Sequence, residues 1–381
     1  MLHDPVEIAR RLIGFNTVSD ETSTRDIADF LSNLLEPAGF SIEQHTYQRG
    51  GKEKVNVIAH KGGTNAKLAL SGHLDTVPFN ETEWRSDPLK LVERDGRFYG
   101  RGACDMKGFL GVAISAGMKV PAADLHYPFA LVFTSDEEVG CIGARNLVRD
   151  KGRIADMFII GEPTEFRPFI LHKGYIYLKI VLSGVGGHSS EPAKGRNAIE
   201  RALPQVILRV NEFRDALQQI TDSRLSPPYA TLNTGTISTG KDASKNTIAK
   251  SCILGLDIRP IPGQDIEEII NGLRRHVAPT GEIDGITVDV RPARSPTPPF
   301  MTSPDAVIVR EVENMCGKEA TSTSFNTEGG IFNLSGSESV ICGLGSISQA
   351  HKPDEFVEGR YLNKEMVDRY ENLIRRFCGK K

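Results

Sequence analysis

Apolar residues recur at helical spacing in two stretches near the start of the chain. These lie over 5–13 and over 24–35, where Ile27, Phe30, Leu31, Leu34 and Leu35 share a face. The run Asn16-Thr17-Val18-Ser19 between them reads as a loop. Farther on, the pattern changes to short apolar runs that close on glycine or polar residues, at 55–59, 68–70, 129–133, 157–160 and 340–342. Helical stretches over 106–119 and 138–148 separate some of them. Short strands alternating with helices predict an α/β domain, with a mostly parallel sheet and helices on both faces.

From about His172 the order becomes strand (175–182), long helix (198–220), two strands (231–238 and 251–259), helix (266–277) and strand (286–290). That order is a complete βαββαβ, ferredoxin-like unit. Its long helix carries Ile199, Leu203, Ile207, Val210, Phe213 and Leu217 on one stripe, which predicts a helix lying on one sheet face. Residues 293–299, rich in proline, read as a linker. A helix over 305–312, the strand at 340 and a helix over 364–377 then return to the first pattern. The reading is a domain made of 1–171 and 293–381 with a second domain, 172–292, inserted into it.

Length agrees, because 381 residues exceed the roughly 250–300 at which one hydrophobic core stops growing. The formal charge of −3 provides no basic footprint for nucleic acid or an anionic membrane surface, so neither is expected as a partner. A small polar or zwitterionic substrate fits better. The opening Met1-Leu2-His3-Asp4-Pro5-Val6-Glu7 lacks a basic segment followed by an apolar one, and a cytoplasmic protein is expected. Six cysteines are scattered without a C-x-x-C pair, which argues against both a disulfide scaffold and a thiolate zinc site. A metal would then have to be held by His, Asp and Glu.

Such residues fall just beyond the C-terminal ends of the predicted strands. Run 68–70 is followed by His73 and Asp75, run 129–133 by Asp136-Glu137-Glu138, run 157–160 by Glu162, and run 340–342 by a loop reaching His351. In an open α/β sheet these ends share one edge, where active sites are built. Asp105 sits beside them in the Gly-rich segment Gly100-Arg101-Gly102-Ala103-Cys104-Asp105. Two histidines and several carboxylates on one edge suit a pair of divalent zinc ions, with one carboxylate able to bridge. In His73-x-Asp75 the carboxylate is placed to accept the other ring N–H of the histidine, and Glu137 and Glu138 offer one ligand and one general base.

Each feature also has a plainer reading. The acids at 136–138 could merely complement a helix N-terminus, Asp105 could be an N-cap, and Glu162 could lie in a solvated turn. Their coincidence at equivalent strand ends favours chemistry. Gly235-Thr236-Ile237-Ser238-Thr239-Gly240-Lys241 begins like a phosphate loop, but Asp242 replaces the Ser/Thr and no helix is predicted after it. Gly187-His188-Ser189-Ser190 lacks the second glycine of a serine-hydrolase elbow. His45, His60, His126 and His276 have no acidic or Gly-rich sequence context, and Arg259 beside Asp257 reads by default as a surface ion pair.

Ser71-Gly72-His73-Leu74-Asp75-Thr76-Val77-Pro78, Gly100-Arg101-Gly102 with Asp105-Met106-Lys107-Gly108, Asp136-Glu137-Glu138 and Gly161-Glu162-Pro163-Thr164 together resemble the di-zinc aminoacylase and carboxypeptidase family. Further similar segments are His172-Lys173-Gly174, residues 187–195 and residues 345–355. The resemblance implies two Zn²⁺ per subunit, with Co²⁺ as a substitute. His73, Asp105 and Glu162 would hold one ion, and Asp105, Glu138 and His351 the other. It implies that Asp75 orients His73, that Glu137 is the general base and that the Asp105–Met106 peptide is cis. The inserted domain would be a lid and dimerisation domain, giving a homodimer in which His188 serves the partner's site. Arg259 would grip the carboxylate of an N-acylamino acid, and Asn246 and Thr327 would contact the substrate. Desuccinylase relatives carry Thr-Ser-Asp where this chain has Thr327-Glu328-Gly329, so Glu328 is expected to select a cationic side chain. Deacylation of another N-acylamino acid, including succinyl-diaminopimelate, a non-catalytic metal binder and a serine hydrolase are the alternatives.

Overall fold

The computed structural model describes residues 3–240 and 243–380, so Lys241 and Asp242 lie outside the described residues. The chain divides into two compact units. Unit 1 is Met1–Ile170, Met301–Thr321 and Thr327–Lys381, and unit 2 is Leu171–Phe300 with Ser322–Asn326.

In unit 1, helices α1 (Pro5–Ile13) and α2 (Arg25–Leu35) precede strands β1 (Ser41–Arg49), β2 (Lys52–Lys61) and β3 (Ala66–His73). Then come α3 (Lys107–Lys119), β4 (Phe129–Thr134), α4 (Ile142–Lys151) and β5 (Ala155–Ile160). Asp4 starts α1 by accepting the Val6 N–H, and Ile8, Ala9, Leu12 and Ile13 turn its apolar face inward. The strand Glu338–Ile341 pairs parallel with β5, β5 with β3, and β3 with β4, while β2 and then β1 continue antiparallel. The registers align the chain ends. His73 lies opposite Thr134, Ser71 opposite Ile160, and Ile160 opposite Ile341. The four strand ends singled out in the sequence therefore do lie along one edge. β4 is buried at every position, as a central strand covered on both faces must be.

The pattern over 41–49 alternates between exposed and half-buried residues, so β1 escaped the search for apolar runs. So did a small sheet in which Arg97–Tyr99 pairs with Val92–Arg94 and Phe356–Glu358. α4 starts at Ile142 rather than 138, because Cys141 takes a left-handed conformation (φ 53°) and residues 136–141 form a loop. Glu137 and Glu138 thus lie outside the helix whose N-terminus they were free to complement.

Unit 2 contains β6 (Ile176–Ser183), α5 (Ala198–Leu217), β7 (Thr231–Thr239), β8 (Ser251–Arg259), α6 (Ile266–Val277) and β9 (Ile286–Pro292). Its sheet runs β7-β8-β6-β9, antiparallel throughout, with a short strand Glu282–Ile283 beyond β9. β6 alternates strictly, with Ile176, Leu178, Ile180 and Leu182 buried on one face. The stripe of α5 is shifted from expectation: Ala198, Ala202, Val206 and Val210 are the buried positions, Ile199, Leu203, Phe213 and Leu217 flank them, and Ile207 is exposed. Small residues let the helix lie close to the sheet, which moves the larger ones to its margins. Asn197 and Asp265 cap α5 and α6 through their side chains. Among the described residues, no helix is long and apolar enough to cross a membrane.

Candidate metal centre and active site

His73 ends β3, buried to 1% exposure. Its Nδ1 lies 2.9 Å from the Asp75 carbonyl, which can only accept, so the proton is on Nδ1 and the Nε2 lone pair faces outward. That lone pair points at Asp105 Oδ1 at 3.0 Å. Two lone pairs at that distance repel unless a proton or a cation lies between them. On the other side, His351 Nε2 is 3.3 Å from Asp105 Oδ2 and 3.1 Å from Glu138 Oε2. Each oxygen of Asp105 therefore addresses a different histidine.

Ligand atoms of His73, Asp105 and Glu162 lie within 4.8 Å of one another, and so do those of Asp105, Glu138 and His351. Two imidazoles with carboxylates, one of them shared, are the nitrogen and oxygen donor set that borderline divalent ions such as Zn²⁺ favour. The residues present fit a metal pair. Glu162 follows β5 through Gly161, where a Cβ would come within 1.9 Å of the Phe109 ring, so only glycine lets the chain turn there.

The charge balance points the same way. Burial disfavours a charge on His73, but its bond to Asp105 and the charges of Asp105, Glu162 and Asp75 raise its pKa well above the ordinary value. Hydrogen bonds to Asp105 and Glu138 raise His351 to about 10. Burial, then the Asp105 charge, pushes Glu138 and Glu162 up. Burial also pushes Glu137 up, with His73 opposing and Glu138 and Glu328 adding. A site of this kind gathers positive charge as protons or as metal.

Asp75 differs from expectation. Its carboxylate is 3.8 Å from His73 Nδ1, and the ring N–H goes to its carbonyl instead. The carboxylate accepts the backbone N–H groups of Glu137 (3.0 Å) and Glu138 (3.2 Å) and the Ser19 hydroxyl (2.6 Å). Asp75 thus fixes both acids of the pair, and the polar loop of residues 16–19 fixes Asp75. Asp136 faces away, paired with buried Lys54 at 2.9 Å and with the Tyr47 hydroxyl. Of the pair, Glu138 meets His351, while Glu137 Oε1 accepts from the Cys141 thiol at 3.3 Å. The Asp105–Met106 peptide is cis.

Glu328 is buried in unit 1, and neither carboxylate oxygen makes a close hydrogen bond. Burial, tempered by the Thr134 hydroxyl, raises it to about 7. Thr327 is buried beside it, accepting the Gly329 N–H ahead of the helix Gly329–Leu334. In unit 2, Arg259 binds Asp257 through Nε (2.8 Å) and Nη2 (3.1 Å) and Asn326 through Nη1 (2.8 Å), and it stacks on Tyr175. N–H groups remain on both Nη atoms for another acceptor. His188 is exposed on a short strand, with Nδ1 2.7 Å from the Ser190 hydroxyl, and Asn246 is exposed with its carbonyl accepting the Ser189 N–H.

Comparison with known proteins decides the lineage. The family model described as Peptidase family M20/M25/M40 matches residues 69–376. The chain belongs to this family. It is accordingly a hydrolase of amide bonds. It is 35% identical to the acetylornithine deacetylase of Pasteurella multocida (strain Pm70), over 94% of this chain and 92% of that protein. It is also 35% identical to that of Proteus mirabilis (strain HI4320), over 98% and 96%. Among solved structures it resembles the Bacillus subtilis YXEP protein, described as a dinuclear metal binding peptidase from the M20 family. The TM-score is 0.65 at 15% identity, covering 98% of this chain and 97% of that one.

Ser19, Cys141, Arg101 and Glu355 were not singled out for the site by sequence. Ser19 inside a polar loop, Arg101 inside the Gly-rich segment before Asp105 and Glu355 close after His351 left a signal, whereas Cys141 left none.

Proposed function

We propose that the protein hydrolyses Nα-acetyl-L-ornithine to L-ornithine and acetate, as in arginine biosynthesis, and acts as a cytoplasmic homodimer with two zinc ions per subunit. The reaction type is carried by the two ligand groups sharing Asp105, with Glu137 held beside them. The substrate is supported by the near full-length likeness to two acetylornithine deacetylases, and the metal pair by the description of the Bacillus subtilis relative.

His73, Asp105 and Glu162 would hold one ion and Asp105, Glu138 and His351 the other. The chemistry such a pair supplies is Lewis acidity, which polarises an amide carbonyl and acidifies water. Glu137 takes the proton that water gives up in attacking the carbonyl carbon and returns it to the departing amine nitrogen. The Cys141 thiol occupies its Oε1, which leaves Oε2 for that proton. Asp75 keeps Glu137 in place through its peptide N–H. Glu328, a buried carboxylate short of partners, attracts the ornithine ammonium, with Thr327 beside it. Arg259 offers its remaining N–H groups to the substrate carboxylate, with Asn246 as a further contact. The exposed His188 is available to steady the developing oxyanion in the partner's site.

The test is release of ornithine from Nα-acetyl-L-ornithine by purified protein, before and after chelation and Zn²⁺ restoration. Rapid, chelator-sensitive turnover is expected. No turnover with Zn²⁺ or Co²⁺ restored would reject the substrate and direct attention to other N-acylamino acids, succinyl-diaminopimelate among them.

A further inference from the structure

Residues 100–106 link the strand Arg97–Tyr99 to α3 and carry Asp105, yet they form no helix or strand of their own. One side chain holds them. Glu355 is 1% exposed, and its Oε1 accepts the peptide N–H groups of Cys104 (2.8 Å) and Asp105 (2.9 Å). Its Oε2 accepts the Gly102 N–H (3.1 Å) and Arg101 Nη1 (2.8 Å), with Arg101 itself only 3% exposed. A carboxylate has room for about four donors, so this one is saturated. The main chain sets its height: Phe356 pairs with Tyr99, and the Gly100 N–H donates to the Glu355 carbonyl. Gly102 takes φ +83°, which curls the loop around the carboxylate so that its N–H groups converge.

We propose that Glu355 is the positioning residue for Asp105 and thereby sets the geometry in which the two ligand groups share it. Glu355 lies behind the loop, bound to the Asp105 peptide rather than to its carboxylate, and touches none of the reacting atoms. It also lies on the segment that carries His351, so one side chain ties a ligand-bearing loop to a sequence stretch about 250 positions away that supplies the opposing histidine. Removing its charge turns an acceptor of four donors into a group with donors of its own facing those N–H groups. This inference rests on the reading of Asp105 as a shared ligand.

The test uses full-length Glu355→Gln and Arg101→Lys, titrated with Zn²⁺ against a chromophoric chelator and with Co²⁺ followed by its visible absorption. In Glu355→Gln, metal affinity is expected to fall roughly 10–100-fold, the usual loss when a group supporting a ligand is changed. The Co²⁺ spectrum should shift, and kcat at saturating metal should recover with KM unchanged. Arg101→Lys keeps every peptide donor and is expected to weaken binding in the same direction by less. It is the variant to read if Glu355→Gln does not fold. Parental affinity and an unchanged Co²⁺ spectrum in folded variants would overturn the inference, even with lowered thermal stability, while leaving the metal centre intact. A parent chain that takes up neither ion would overturn the metal reading and this inference together.

Discussion

Both units bury an apolar core, but they differ in what else they bury. Unit 1 encloses His73, Asp75, Asp105, Glu162, Arg101, Glu355 and Glu328, each with little or no exposure, at and behind one sheet edge. The core of unit 2 is mostly aliphatic, built from residues such as Ile180, Leu254, Leu256, Ile258, Ile270 and Leu273, and its buried titratable groups among the described residues are His172, Lys173 and the Cys252 thiol. Apolar burial gains roughly 1.5–3 kcal/mol per large side chain, whereas a buried charge costs free energy unless it is paired. Unit 2 therefore draws stability from its core. Unit 1, beside an apolar core of its own, gathers unfavourable charge at its edge, which a bound cation would relieve.

The largest effect separating the units is on activity. Glu137→Gln should lower kcat by about 10²–10⁴-fold with metal stoichiometry unchanged; steady-state rates beside metal analysis check this, and loss of metal would assign Glu137 as a ligand instead. Leu254→Ala in unit 2 should cost about 2–5 kcal/mol in denaturant unfolding without changing metal affinity. An altered affinity would show that the units are not independent in this respect.

Chelation should act on unit 1 alone. Metal at about a hundred times its Kd contributes about 2.7 kcal/mol, so its removal should lower the unfolding temperature of unit 1 but not that of unit 2, as followed by hydrogen exchange. Equal loss of protection in both units would break the distinction.

An effect of comparable size belongs to unit 2. Burial lowers the pKa of His172 to about 4, so the unfolded chain, with its imidazole near 6.5, takes up a proton that the folded one refuses. Stability should be full above pH 6.5 and fall by up to about 3 kcal/mol as pH drops toward 4. His172→Phe should flatten that slope, and an unchanged slope would assign it to other groups. Smallest of all, Lys194→Ala removes an exposed pair with Glu191 and should change stability by less than about 0.5 kcal/mol.

Much of this was legible in the chain. The strands whose ends carry His73, Glu137, Glu162 and the loop to His351 were marked by short apolar runs, because a central strand buried on both faces has no polar positions. β1 was missed because an edge strand leaves residues half exposed, and its pattern is then that of a loop. The same limit affected the histidines. His60 and His276 have no acidic neighbours in sequence, yet they face Glu43 and Glu212 in space, and His45 faces Asp150, more than a hundred positions away.

By itself the sequence determined most of the element types, the mostly parallel character of the catalytic sheet, the βαββαβ insertion and the residue types available to a metal, since these follow from local periodicity and from what lies next to a strand end. Only the tertiary structure decided that Asp75 grips peptides instead of the imidazole and that Glu355 closes around the Asp105 loop. Those choices depend on which donor reaches which oxygen within about 3 Å across tens to hundreds of intervening residues, and hydrogen-bond distances of that kind leave no period in the chain.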